Sequence, residues 1–81
     1  MSQYDKLDAL ILDRIGRANG ATFTELQSNK AIADEAWNLA TYLDRVDWRI
    51  IDARLQALRK LGLIRFVRPA WRLSERVRKE A

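Results

Sequence analysis

Cysteine and histidine are both absent from this chain, and its 81 residues include one proline and three glycines. Without cysteine there is no disulfide framework, zinc–thiolate cluster or thiol nucleophile. Without histidine the usual general base near neutral pH and the commonest metal ligand are missing as well. The scarcity of proline and glycine argues against a linker or low-complexity segment. No apolar run approaches the roughly 18 residues that a membrane-spanning helix needs, and residues 1–6 are too polar for a secretory signal. These absences predict a cytoplasmic chain without a membrane contact, metal or cofactor.

What is present is an ordinary globular composition, 48% hydrophobic and 32% charged, with a net charge of +4. A chain this short has room for one core, so residues 1–81 are expected to form a single domain. The charge is unevenly placed. Residues 1–47 carry five basic and eight acidic side chains, a balance of −3, whereas residues 48–81 carry ten basic and three acidic, a balance of +7. An anionic partner would meet the C-terminal half.

Hydrophobic spacing divides the chain into helices. Tyr4, Leu7, Leu10, Ile11 and Ile15 recur at helical intervals up to Arg17, with Ser2 and Asp5 placed as a capping box. Asn19 and Gly20 tolerate a left-handed backbone and should end this helix, before a brief extended stretch over residues 21–23 in which Phe23 plugs the core. Thr22 with Glu25, or Thr24 alone, can cap a second helix, which Ser28 and Asn29 can split. From residue 30 to 43 the stripe Ile32, Ala36, Leu39, Ala40 and Leu43 predicts a helix with one buried face.

A polar connection over residues 44–47 leads to a third helical segment, with Asp47 as N-cap and Val46 positioned to staple onto Ile51. Its inward stripe is Ile51, Leu55 and Leu58, flanked by Trp48 and Leu61, and Gly62 stands where a left-handed terminator is needed. Residues 63–67 and 71–73 then read as two short strands around Arg68, Pro69 and Ala70, with Pro69 at the second turn position. Residues 74–81 form a charged tail.

The order helix, short strand, helix, helix, hairpin is that of the winged helix-turn-helix. The run of residues 55–64, containing Leu55, Leu58, Gly62, Leu63 and Ile64, resembles the end of a recognition helix entering the wing in bacterial regulators of that superfamily. Trp71, Arg72 and Leu73 resemble the returning wing strand. Together these matches cover about the last third of the chain; residues 1–46 match in order and length only. The resemblance implies an α+β, mostly α fold, with a three-helix core and a C-terminal β-hairpin wing. It also implies a third helix in the major groove of double-stranded DNA and a wing on the backbone, as in a transcriptional regulator of bacterial or phage type.

On the outward face of that helix Arg49, Ala53, Gln56 and Lys60 lie at i, i+4, i+7 and i+11, opposite the core stripe. Arg49 suits a guanine edge and Gln56 an adenine edge, while Arg59 and Lys60 suit phosphates. Arg65, Arg68 and Arg72 of the hairpin add charge that sets affinity and salt dependence but not sequence. The superfamily's usual contact positions fall here on Arg49, Ile50, Asp52, Ala53 and Gln56. Among them Asp52 is repelled by phosphate, and Ile50 and Ala53 offer only apolar contact.

A second reading is therefore a winged-helix protein-interaction module that presents Trp48 and Ile50 to a protein partner. A third is an RNA-binding module, since phosphate attraction does not distinguish the two polymers. Small size favours a homodimer on DNA, with helix 1 or the edge bearing Trp37 and Tyr42 as candidate pairing surfaces. Trp71 is expected to close the hairpin over the core, and Trp37 and Trp48 to sit at core edges. The carboxylates Asp34, Glu35, Asp44 and Asp47 fall on different turns with no histidine beside them, and read as solvation and caps. With no nucleophile–base pair or phosphate-binding loop, the chain is not expected to be an enzyme.

Overall fold

The computed structural model describes residues 3–17 and 19–74. Ser2 of the expected capping box and tail residues 75–81 lie outside that range. The fold is mostly helical. Helices α1 (Asp5–Arg17), α2 (Phe23–Ser28), α3 (Lys30–Leu43) and α4 (Asp47–Lys60) are followed by strands β1 (Ile64–Val67) and β2 (Ala70–Leu73).

The helix boundaries follow from local chemistry. Thr22 caps α2 in a full capping box: its hydroxyl accepts from the Glu25 amide, and the Glu25 carboxylate accepts from the Thr22 amide. One residue after α2 ends, the Asn29 side chain accepts from the Ile32 amide and starts α3, so the Ser28-Asn29 pair does split the second helical region. Helices α1, α3 and α4 each terminate at a left-handed residue, Asn19, Asp44 and Gly62 respectively. At the end of α4 the Leu63 amide donates to the Leu58 carbonyl and the Gly62 amide to the Arg59 carbonyl, the paired bonds of a Schellman motif.

Four local expectations are corrected. Val46, not Asp47, is the N-cap of α4, without a side-chain cap bond, and Asp47 is the first helical residue, accepting from the adjacent Trp48 amide. The extended stretch after α1 shrinks to a bridge at Ala21, because capping at Thr22 draws Phe23 into α2, where it packs half-buried against the side of the core. Pro69 occupies the third turn position, after a cis Arg68–Pro69 bond. Trp37 and Trp48 are not core-edge residues: they are 64% and 44% exposed.

The core is one cluster to which every element contributes, including Leu7, Ile11 and Ile15 of α1, Ile32, Ala36 and Leu39 of α3, and Ile51, Leu55 and Leu58 of α4. The hairpin pairs antiparallel, with Ile64 opposite Leu73, Arg65 opposite Arg72, and Phe66 opposite Trp71. The far side of β2 is engaged too. The Ala21 amide donates to the Trp71 carbonyl and the Trp71 amide to the Ala21 carbonyl, at 2.9 and 2.7 Å. Buried Trp71 is thereby tied to the connection after α1, with Phe66 tilted against it at 5.0 Å between ring centroids.

Helix α4 is fixed to α1 by a polar contact as well. Arg54 Nε and Nη2 donate to the two carboxylate oxygens of Asp8 at 2.9 and 2.7 Å, and the guanidinium lies 4.7 Å above the Tyr4 ring. The bonds to Asp8 raise the Arg54 pKa above its ordinary value, against the opposing effect of burial. A bidentate, partly desolvated contact of this kind reinforces the rotation of α4 that its buried stripe, Ile50, Ile51, Leu55 and Leu58, already favours.

Candidate nucleic-acid interface

Burial on α4 falls on Ile50, Ile51, Leu55 and Leu58. At 3.6 residues per turn, the side opposite that strip carries Arg49, Asp52, Ala53 and Lys60, all exposed, with half-buried Gln56 between them. Ile50 is corrected here. It is 4% exposed and belongs to the core, so it adds nothing to the outward face of α4 that would meet DNA or a protein. The α4 stripe had placed the core at Ile51, Leu55 and Leu58; with Ile50 included, the buried arc is wider on the N-terminal turn, where α4 packs against α3.

Strand β1 lies beside α4, and between them runs a groove of about 440 Å³ lined by Gln56, Arg59, Arg65, Phe66 and Trp71. This explains the partial burial of Gln56: its side chain stands at the foot of the hairpin, not on the crest of the helix. Phe66, 48% exposed, gives the groove an apolar wall, and Arg59 and Arg65 stand on its two sides. Arg65 and Arg72 are direct cross-strand neighbours on the outer face of the hairpin. Like charges so placed repel, a local cost that an anion between or beside them relieves. Arg68 is exposed in the turn.

The distribution of ion pairs separates the two halves of the molecule. Lys6 pairs with Glu35, Arg14 with Glu25, Arg17 with Asp13 and Lys30 with Asp34, so the cations of the N-terminal helices are compensated. Beyond residue 44, Arg54 alone among the described residues has a carboxylate partner. Arg49, Arg59, Lys60, Arg65, Arg68 and Arg72, every cation that the sequence singled out, form no ion pair among the described residues. Arg49 instead lies 5.4 Å from the Trp48 ring. Asp52, the one carboxylate on the outward face of α4, is also exposed and forms no ion pair among the described residues.

The carboxylates Asp34, Glu35, Asp44 and Asp47 are dispersed, as their spacing implies. Asp34 and Glu35 take Lys30 and Lys6, Asp44 is the left-handed terminator of α3, and Asp47 holds the start of α4. Trp37 and Tyr42 do not make one pairing edge, because five positions on a helix separate them by about 140° around its axis. Two features escaped sequence reasoning: the groove between α4 and β1, and the Arg54–Asp8 contact. The latter joins residues 46 positions apart, a distance that helical spacing does not reach. Comparison with protein-family models, with curated proteins and with solved structures gives no match to this chain.

Proposed function

We propose that this chain is a DNA-binding module of winged-helix type, a transcriptional regulator that lays α4 in the major groove and sets its β1–β2 hairpin against the sugar–phosphate backbone. The observation that carries the reading is the set of cations on α4 and the hairpin that have no ion pair among the described residues, in a molecule whose α1 and α3 cations are all paired. The Ala21 bridge to β2 supports it, since it braces the hairpin against the helical core and gives the wing a fixed position beside α4.

In this reading Arg59, Lys60, Arg65, Arg68 and Arg72 bind phosphates, with Arg59 and Arg65 flanking a backbone that enters the groove over Phe66. Base discrimination rests on Arg49 and on Gln56 at the groove mouth, each about 1–3 kcal/mol when bidentate. Asp52 limits the bases that α4 tolerates, accepting from a cytosine amino group and repelling phosphate. Two copies on half-sites about one helical turn apart would double a contact area that is small for one module. A protein partner is the second reading. It is favoured by exposed Trp48 beside Asp52, a pairing of aromatic and carboxylate that phosphate does not call for.

Titration of labelled random-sequence duplex DNA at two salt concentrations tests the proposal, with an Arg65→Glu, Arg68→Glu, Arg72→Glu variant beside the wild type. The three side chains are exposed, so the variant should fold. Binding should fall steeply with salt, and the variant should lose affinity about 100-fold or more at low salt. Absence of wild-type binding at low salt refutes the DNA reading.

A further inference from the structure

A second concavity lies on the opposite flank of α4 from the hairpin, where the first turns of α4 pass the start of α1. It encloses about 400 Å³, within the range of small-molecule pockets. Its apolar surface comes from Val46, Ile50, Ala53 and the Tyr4 ring. Ile50 is otherwise buried, so the groove reaches the core; Val46, the apolar N-cap of α4, is 47% exposed.

Three arginines line the same space, Arg45, Arg49 and Arg54, against one acidic residue, Asp44. Arg54 is committed to Asp8. Arg45 and Arg49 have no acidic partner among the described residues, and both stand at the edge of an apolar floor. Asp44 offsets one of these charges, leaving room for a single negative charge and not for a dianion. Guanidinium groups recognise planar carboxylates through paired hydrogen bonds, and the floor accepts an apolar body.

The geometry points to a binding site for a small amphipathic monoanion, an aromatic or branched aliphatic carboxylate whose apolar part lies on Val46, Ile50 and Ala53 and whose carboxylate meets Arg45 and Arg49. Arg49 also belongs to the outward face of α4. A ligand held there withdraws it from DNA, so occupation of the groove weakens duplex binding; this coupling rests on the DNA reading, and the site itself does not.

Benzoate is a suitable probe, with benzyl alcohol as its uncharged counterpart, followed through the backbone amide resonances of isotopically labelled full-length protein. For a ligand of this size a dissociation constant of about a millimolar is expected. Saturable shifts should centre on Val46, Ile50 and Ala53, with benzyl alcohol about tenfold weaker or more. An Arg45→Glu, Arg49→Glu variant should lose benzoate binding about tenfold or more, whereas a charge-matched Arg17→Glu, Lys30→Glu variant, altered far from the groove, should retain it. Non-saturating shifts, shifts spread over all the arginine-bearing surfaces, or equal loss in both variants overturn the site. At ionic strength matched with chloride, benzoate should lower duplex affinity for wild type and much less for a single Arg45→Glu variant, which leaves the outward face of α4 intact. If the wild type binds no duplex, the DNA reading fails while the resonance shifts still decide the site. If it binds duplex and benzoate saturates the groove without lowering that affinity, the coupling is overturned.

Discussion

Glu25 shows how much one exposed side chain can be asked to do. Its carboxylate accepts from the Thr22 amide and pairs with Arg14, and these bonds hold its pKa below the ordinary value of 4.5, the Thr22 backbone bond being the largest cause. A carboxylate with a depressed folded-state pKa stabilises the fold fully above its unfolded value, and that contribution is lost as pH falls through the folded value. Glu25→Gln keeps a capping side chain but cannot ionise. Urea midpoints measured from about pH 7 down to about pH 2.5 should therefore show the wild type ahead of the variant above 4.5, and the gap closing in acid. A gap independent of pH would mean that the charge contributes nothing. At this scale the sequence was readable: the Thr22 and Glu25 spacing gave the cap, and the i, i+4, i+7, i+11 series gave the outward face of α4. Ile50 was misplaced because a strip three residues wide underestimates the arc that α3 covers.

The elements are joined by terminators whose quality differs. Gly62 has φ +78° with open space where a Cβ would go, whereas Asp44 holds φ 54° with a side chain in place. Non-glycine residues pay about 1–2 kcal/mol for this conformation, so Gly62→Ala should destabilise by about 1 kcal/mol through the backbone alone, without a clash. Asp44→Gly should change stability in the opposite direction by a few tenths to about 1 kcal/mol, the freer unfolded chain offsetting part of the relief. Opposite shifts in thermal midpoint would check the pair; a loss in both would place the role of Asp44 in its side chain. The hairpin was legible as an element from its apolar runs around a proline. Its turn was not, because spacing alone does not say which two residues close a four-residue loop.

For the whole molecule, what matters is where charge is left uncompensated. Six cations on α4 and the hairpin have no ion pair among the described residues. If all six meet phosphates, the logarithm of the duplex association constant should fall against the logarithm of salt concentration with a slope of about −5, reduced by about 1 for each cation replaced by a neutral residue. Loss of slope from Arg68→Gln and Arg72→Gln but not from Arg49→Gln would assign Arg49 to bases. A slope near zero would favour the protein partner that Trp48 and Asp52 suit. The asymmetry of −3 and +7 between the two halves anticipates this only in part, since total charge does not reveal which cations are already paired.

By itself the sequence determined the helices, the caps at Thr22 and Asn29, the terminators Asn19 and Gly62, the hairpin and the basic character of the C-terminal half, because each depends on residues within a turn or two of one another. Tertiary structure decided what those elements jointly present. The bond from Ala21 to Trp71 braces the hairpin against the helical core, the Arg54–Asp8 contact ties α4 to α1, and the packing leaves one groove on each flank of α4. Both contacts join residues far apart in the chain, which no local periodicity encodes. The segment from Asp47 to Leu73 is thus legible as a basic helix and hairpin, while the surface it offers to a partner exists only once the chain has closed.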